Sequence, residues 1–272
     1  MRRRRLPKPW ARSILPYLQF RRAMAASNRL VVPALSLAGL VGLWALVASV
    51  IASDVLPGPL AVWQSVLAQV SYGEYFLHLG MTLARVIAAF TLAMAIGSAL
   101  GLALGGSKRA DRWFGTWLIV LLNIPALVVI ILCYVWFGLT EAAAVTAVAI
   151  NKIPNVAATL REGARALSKD LAEMAFLYQL TWRQRLLHVT LPQLAPYFAV
   201  AARNGLALVW KIVLVVELLG RPDGIGFQLY TYFQLFDVAT ILAYALGFVV
   251  VVQVIEFGVF EPWERHANRW RR

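Results

Sequence analysis

The residues of this chain that could do chemistry are ionisable side chains set inside long apolar runs. One run holds Arg203, Asn204, Trp210, Lys211 and Glu217, a second holds Asn151 and Lys152, and Arg85 opens a third. Seven residues make nearly two helical turns, so Arg203, Trp210 and Glu217 share one stripe of a helix, and Asn204 and Lys211 share the next. Charged groups at bilayer depth are costly and normally face a bundle interior or a water-filled route. Asn204, Trp210, Lys211, Glu217 and Lys152 are therefore candidates for lining a pathway, and a lysine there would favour an anion. A structural role competes with this reading. Glu217 could pair with another helix, Arg85 and Lys152 could snorkel or anchor, and Gln253 and Glu256 could sit between helices. Bond-making chemistry lacks its residues. The sequence contains no G-x4-G-K-[ST], H-E-x-x-H, C-x-x-C or G-x-S-x-G motif. Three histidines and the single Cys133 make a transition-metal site a poor expectation.

The elements that must position these residues follow from composition. Of 272 residues, 61% are apolar and 14% charged, against about 25% charged in a soluble domain. Continuous apolar runs of about 20 residues, without period-2 alternation, specify spanning helices rather than a membrane barrel. Six are expected, near 30–52, 79–105, 113–135 with a kink at Pro125, 142–160, 196–219 and 238–260. Residues 60–77 suit an interfacial helix. The formal charge of +13 is distributed by the crossings: nine basic residues precede Leu30, and further clusters follow the second, fourth and sixth spans. All lie on one side, which the positive-inside rule makes cytoplasmic together with both termini. This placement reads as orientation beside anionic lipid and not as a nucleic-acid surface. The expected organisation is a basic segment 1–29 ahead of an uncleaved first helix, a membrane domain 30–260 with a cytoplasmic loop 161–194, and a basic tail 261–272. Ala89, Ala93, Gly97, Gly101 and Gly105 recur every four residues, a ridge that lets a second helix come close.

The long polar loop has its own local code. Ser168 is a helix N-cap candidate with Asp170 in the first turn, and Leu167, Leu171, Met174 and Tyr178 fall on one face. Thr181 and Gln184 have capping-box spacing for a second short helix carrying Arg183 and Arg185. Two short helices with an apolar face, at the basic side, form a docking surface for another protein.

Glu173-Met174-Ala175 followed by Val189-x-Leu191-Pro192 resembles the E-A-A-x3-G-x9-I-x-L-P loop of binding-protein-dependent ABC importer permeases. Leu56-Pro57-Gly58-Pro59, Thr82-Leu83-x-Arg85, Ile124-Pro125, Trp136-Phe137-Gly138, Glu217-Leu218-Leu219-Gly220 and Gly224-Ile225-Gly226 are similar to the nitrate/sulfonate/taurine branch. The resemblance runs from about residue 30 to the end. It implies the all-α type I importer permease fold in a bacterial inner membrane, with translocation of a small anionic solute. It also implies two ATP-binding subunits, a second permease chain forming a homodimer, and a periplasmic or lipid-anchored solute-binding protein. ATP and magnesium would be bound by the partner subunit, and this chain would hold no cofactor. The docking residues would be Leu171, Glu173, Met174, Ala175, Tyr178, Gln179, Thr181, Trp182 and Arg183. Gln179 stands where the motif has glycine, so a positive φ there would carry strain or the turn would be remodelled. An ATP-independent carrier, disfavoured by the lack of an internal repeat, and a membrane-integral enzyme are the alternatives.

Overall fold

The computed structural model describes residues 31–51, 53, 55–260 and 262. The basic segment 1–29 and, apart from residue 262, the tail 261–272 lie outside them. Among the described residues every regular element is helical. The chain divides into two compact units, 1–63 and 64–272. In the first, α1 (Val31–Ile51) is an apolar helix of 21 residues, long enough to cross the hydrocarbon core. Its Trp44 indole donates to the Pro57 carbonyl at 3.1 Å, fixing the Leu56–Pro59 turn. Pro59 then starts α2 (Pro59–Ser71), where its missing N–H is not needed.

The second unit contains α3 (Tyr75–Gly106), α4 (Lys108–Leu122), α5 (Ala126–Phe137), α6 (Glu141–Arg165), α7 (Lys169–Leu177), α8 (Trp182–Arg185), α9 (Leu191–Gly220), α10 (Ile225–Gln234) and α11 (Val238–Ile255). A π-helical turn, Leu186–Thr190, joins α8 to α9. Pro192 explains that turn: it offers no N–H to the His188 carbonyl, so the ladder slips by one residue. A second π turn, Glu256–Phe260, follows α11.

The tightest contact is α3 against α6, along the small-residue ridge. Ala89 and Ala93 are completely buried. A Cβ on Gly97 would lie 2.7 Å from the Val156 Cβ, and one on Gly101 would lie 2.5 Å from the Ala157 carbonyl oxygen and 2.8 Å from the Leu160 Cβ. Lipid tails are as apolar as leucine, so helices here associate through close packing, which glycine permits.

The third expected span is not one kinked helix. α4 and α5 meet at 94°, because Pro125 is held in an extended conformation (φ −60°, ψ 134°) and Asn123 and Ile124 leave the helical ladder. The pair nevertheless runs from one end of the bundle to the other. At its start, Asp111 pairs with Arg161 (2.6 Å) and Arg165 near the end of α6. At its finish, the Tyr134 hydroxyl donates to the Val216 carbonyl near the end of α9. Among the described residues, five continuous helices are long and apolar enough to cross a membrane, and the broken pair taken as one span makes the sixth. α10, between the last two spans, was not anticipated. α6 and α9 also extend into the loop range 161–194, leaving 166–190 as the connecting segment.

Gly101→Ala is expected to destabilise the protein by about 1–3 kcal/mol through overpacking, seen as a lower Tm in detergent. Gly106→Ala, whose Cβ would enter open space, is expected to leave Tm unchanged.

Candidate functional site

Three polar constellations stand out in the second unit. The first joins α3, the start of α6 and the α9–α10 connection, at the end of the bundle away from the basic clusters. Arg85 is buried and all five of its guanidinium N–H groups are used. Nε and Nη2 donate to Glu141 at 2.9 and 2.7 Å, and Nη1 donates to Glu217 at 2.8 Å and to the Asp223 carbonyl at 2.9 Å. Nη2 also pairs with the Asp223 carboxylate, and Arg221 pairs with Glu141. The other Glu217 oxygen accepts from the Thr82 hydroxyl and from the Gly226 N–H, both at 2.9 Å. Thr82 accepts the Ile225 N–H at 2.8 Å, and His78 Nδ1 accepts the Gly224 N–H at 3.1 Å. Gly224 has φ +105°, and a Cβ there would fall on the Glu217 carboxylate.

Glu217 is 0% exposed. Within this chain it faces Arg85 of α3 as an ion pair and borders neither of the cavities described below. Arg85 likewise serves packing, with partners (Glu141, Asp223) that no sequence spacing indicates.

The second constellation consists of two cavities bordering α9. One, of about 450 Å³, lies between α9 and α11 and is lined by Arg203, Asn204, Trp210, Lys211, Gln253 and Glu256 among others. Arg203 donates to Glu256 at 2.8 Å across it. Trp210 is mostly buried and stacks edge-on against Phe248. The other cavity, of about 370 Å³, lies between α6 and α9 and is lined by Lys152, Asn155, Thr159 and Asn204, with Ala201, Ala207 and Leu208. Trp210 and Lys211 border the first cavity, Lys152 the second, and Asn204 both.

The third is the α7–α8 hairpin at the basic end. Ser168 caps α7, accepting the Leu171 N–H, and Thr181 with Gln184 forms the complete capping box. The turn between them is a Schellman motif: the Leu180 N–H reaches the Ala175 carbonyl at 3.0 Å and the Gln179 N–H reaches that of Phe176 at 3.0 Å. Gln179 sits at its C′ position with φ +49°, so the turn keeps the shape that glycine would allow. Gln193 ties the hairpin to α9, accepting the Ser168 N–H at 2.9 Å and donating to the Val189 carbonyl at 2.8 Å.

Of the expected docking residues, Leu171, Glu173, Met174, Tyr178, Gln179, Trp182 and Arg183 are exposed, and Arg183 lies 5.6 Å over the Trp182 ring. Ala175 is turned inward, with Val189 also buried in the hairpin, and the Thr181 hydroxyl is engaged in the cap. Phe176 (81% exposed) and Leu177 enlarge the patch beside Tyr178 (76%) and Trp182 (70%). They occupy the unspecified positions of the motif, which is why its letters did not single them out.

Glu217→Ala would leave one Arg85 N–H, the Thr82 hydroxyl and the Gly226 N–H without their buried acceptor, and a loss of about 3–5 kcal/mol is expected, read as a large fall in Tm or failure to accumulate in the membrane. Gln179→Gly removes the left-handed strain and is expected to raise stability by up to about 1 kcal/mol, measured the same way.

Residues 93–259 match the family described as binding-protein-dependent transport system inner membrane component. The protein named aliphatic sulfonates transport permease SsuC in Bacillus subtilis (strain 168) is 27% identical over 234 residues, 85% of this chain and 84% of that one. Its namesake in Escherichia coli (strain K12) is 31% identical over 191 residues, 70% and 73% of the two chains. The nitrate import permease NrtB of Synechococcus elongatus is 22% identical over 195 residues, 68% and 70%. The fold is shared with the inward-facing MetNI methionine ABC transporter, with a TM-score of 0.60 at 19% identity, over 69% of this chain and 93% of that one. It is also shared with an amino acid ABC transporter, at 0.58 and 24%, over 74% and 97%. With six apolar crossings, the capped hairpin between α6 and α9, and these relatives, the chain belongs to the binding-protein-dependent ABC importer permeases, in the nitrate/sulfonate branch.

Proposed function

We propose that this chain forms the translocation route for a small anion, such as a sulfonate, nitrate, bicarbonate or carboxylate, in a bacterial cytoplasmic membrane. A separate ATP-binding subunit drives it through the 166–190 hairpin. The observation that carries this reading is the exposure of Phe176, Leu177, Tyr178 and Trp182 together on a rigid, doubly capped hairpin. A contiguous apolar patch ringed by polar residues favours a protein partner, and Arg183 and Glu173 supply the charged rim.

Gln193 and the continuous run from α8 into α9 link the hairpin to the helix that borders both cavities. Displacement of the hairpin would then be transmitted to α9 as a rigid element and not absorbed by a slack loop. Two copies of the chain around a common route, two ATP-binding subunits and an external solute-binding protein complete the assembly. Nucleotide closure would bias a two-state equilibrium of the route, in which only differential binding to the two states can shift the population. The sulfonate and nitrate permeases among the relatives support an anionic solute, as do the cations bordering the cavities. An ATP-independent carrier would have no use for the hairpin.

Glu173→Lys inverts a charge on the rim without touching a buried contact. The expected outcome is normal membrane insertion with loss of solute-stimulated ATP hydrolysis in the reconstituted complex. Normal transport by that variant would remove Glu173 from the interface.

A further inference from the structure

Among the described residues, the buried charged side chains are treated very differently. Arg85 and Glu217 neutralise each other within a network of carboxylates, a hydroxyl and backbone N–H groups. Lys152, only 2% exposed, has no carboxylate and no hydrogen-bond acceptor of its own among the described residues. It is the twelfth of the 25 residues of α6, so it lies near the midplane, where an unmatched charge is most costly. Its position is built and not accidental. The lysine stem crosses α9 at Gly205, where a Cβ would touch the Lys152 Cε at 3.5 Å and the Phe90 ring at 3.4 Å.

From there the side chain borders the 370 Å³ cavity, whose other polar lining is Asn155, Thr159 and Asn204. Thr159 bonds to the carbonyl of Asn155 in its own helix, and Asn155 bonds weakly to that of Asn151. The Asn204 amide has no partner among the described residues. Carboxylates are absent from this lining, whereas the neighbouring chamber, which holds Lys211, contains Glu256. Among the described residues, the only formal charge facing the Lys152 cavity is therefore positive.

We propose that Lys152, with the Asn204 amide beside it, is the anion-binding subsite of the route. The ammonium receives the oxygens of a sulfonate, nitrate or carboxylate at the middle of the membrane, and Lys211 does not. This rests on the importer reading above and assigns its selective contact. A cavity of 370 Å³ holds a small oxyanion with several waters, each occupying about 30 Å³. Lysine suits passage better than arginine would. It is a point charge with three rotatable donors and imposes no planar two-point geometry, so an anion can be held and released. Asn204 borders both cavities, which places it where the solute would pass from one to the other.

The test uses the full chain, alone in detergent and in the complete importer in proteoliposomes, with ethanesulfonate and nitrate as probes at constant ionic strength. Wild-type protein is expected to gain thermal stability from at least one probe. Lys152→Met and Lys152→Gln are expected to remain folded, since they remove an unmatched buried charge, and to lose that gain. Lys152→Arg is expected to keep it. In the importer, Lys152→Met should lower the maximal uptake rate by about tenfold or more, the scale of one lost charge-assisted contact, while ATP hydrolysis remains responsive to the loaded binding protein. A probe-induced shift that survives in both Lys152→Met and Lys152→Gln, no shift in wild type with either probe, or unchanged uptake in Lys152→Met would overturn the subsite. Binding that depends on Lys152 without ATP-driven uptake by the wild-type importer would uphold the subsite and refute the importer reading instead.

Discussion

Arg85 is where three distant parts of the chain are made to agree. Its five N–H groups reach Glu141 at the start of α6, Glu217 on α9 and Asp223 in the turn that follows α9. In a medium without water, each of these groups must find its partner inside the protein. The network is satisfied only when α3, α6 and α9 hold one mutual height and α10 folds back over the end of α9. Two guanidiniums, from Arg85 and Arg221, face three carboxylates, Glu141, Glu217 and Asp223. Gly224 and Gly226 make the closure possible, because side chains there would occupy the volume of Glu217.

At the opposite end, packing is steric and the ion pairs are partly solvated. Gly97, Gly101 and Gly105 bring α3 onto α6, and the pairing of Asp111 with Arg161 and Arg165 closes the bundle where the α7–α8 hairpin departs. The hairpin itself is a local structure. Its caps and its Schellman turn satisfy nearly every backbone group within a few residues, so it can present large apolar side chains outward without unravelling. One end of the molecule is thus locked by buried charge, and the other offers a stiff handle attached to α9. Lys152 lies between these ends, on the seam of α6 and α9.

The features legible in the sequence are those whose causes are local or periodic. Apolar run length set the number of spans. The four-residue ridge marked the closest helix contact, and Ser168, Thr181 and Gln184 announced their caps, because a cap needs only a side-chain oxygen and a backbone N–H three residues on. The motif letters Thr82, Arg85, Glu217, Gly224 and Gly226 were visible too, yet nothing in their order says that they touch. Pro125 predicted a kink, but not the 94° at which α4 and α5 meet.

Tertiary structure alone decided which polar groups face open space. Heptad spacing places Glu217 on the stripe of Arg203 and Trp210, and a stripe says nothing of what covers its far end. Here the α9–α10 turn covers it, so Glu217 became part of the lock. Lys152 and Lys211 look equivalent as lysines in apolar helices. Among the described residues, one is enclosed without a counter-charge and the other is exposed beside a chamber that contains a carboxylate. Secondary structure and membrane crossing follow from the free energy of residues acting singly or with near neighbours, which sequence records directly. The environment of a buried charge is the sum of groups brought from α3, α6, α9 and α10, and that sum exists only after the helices have packed.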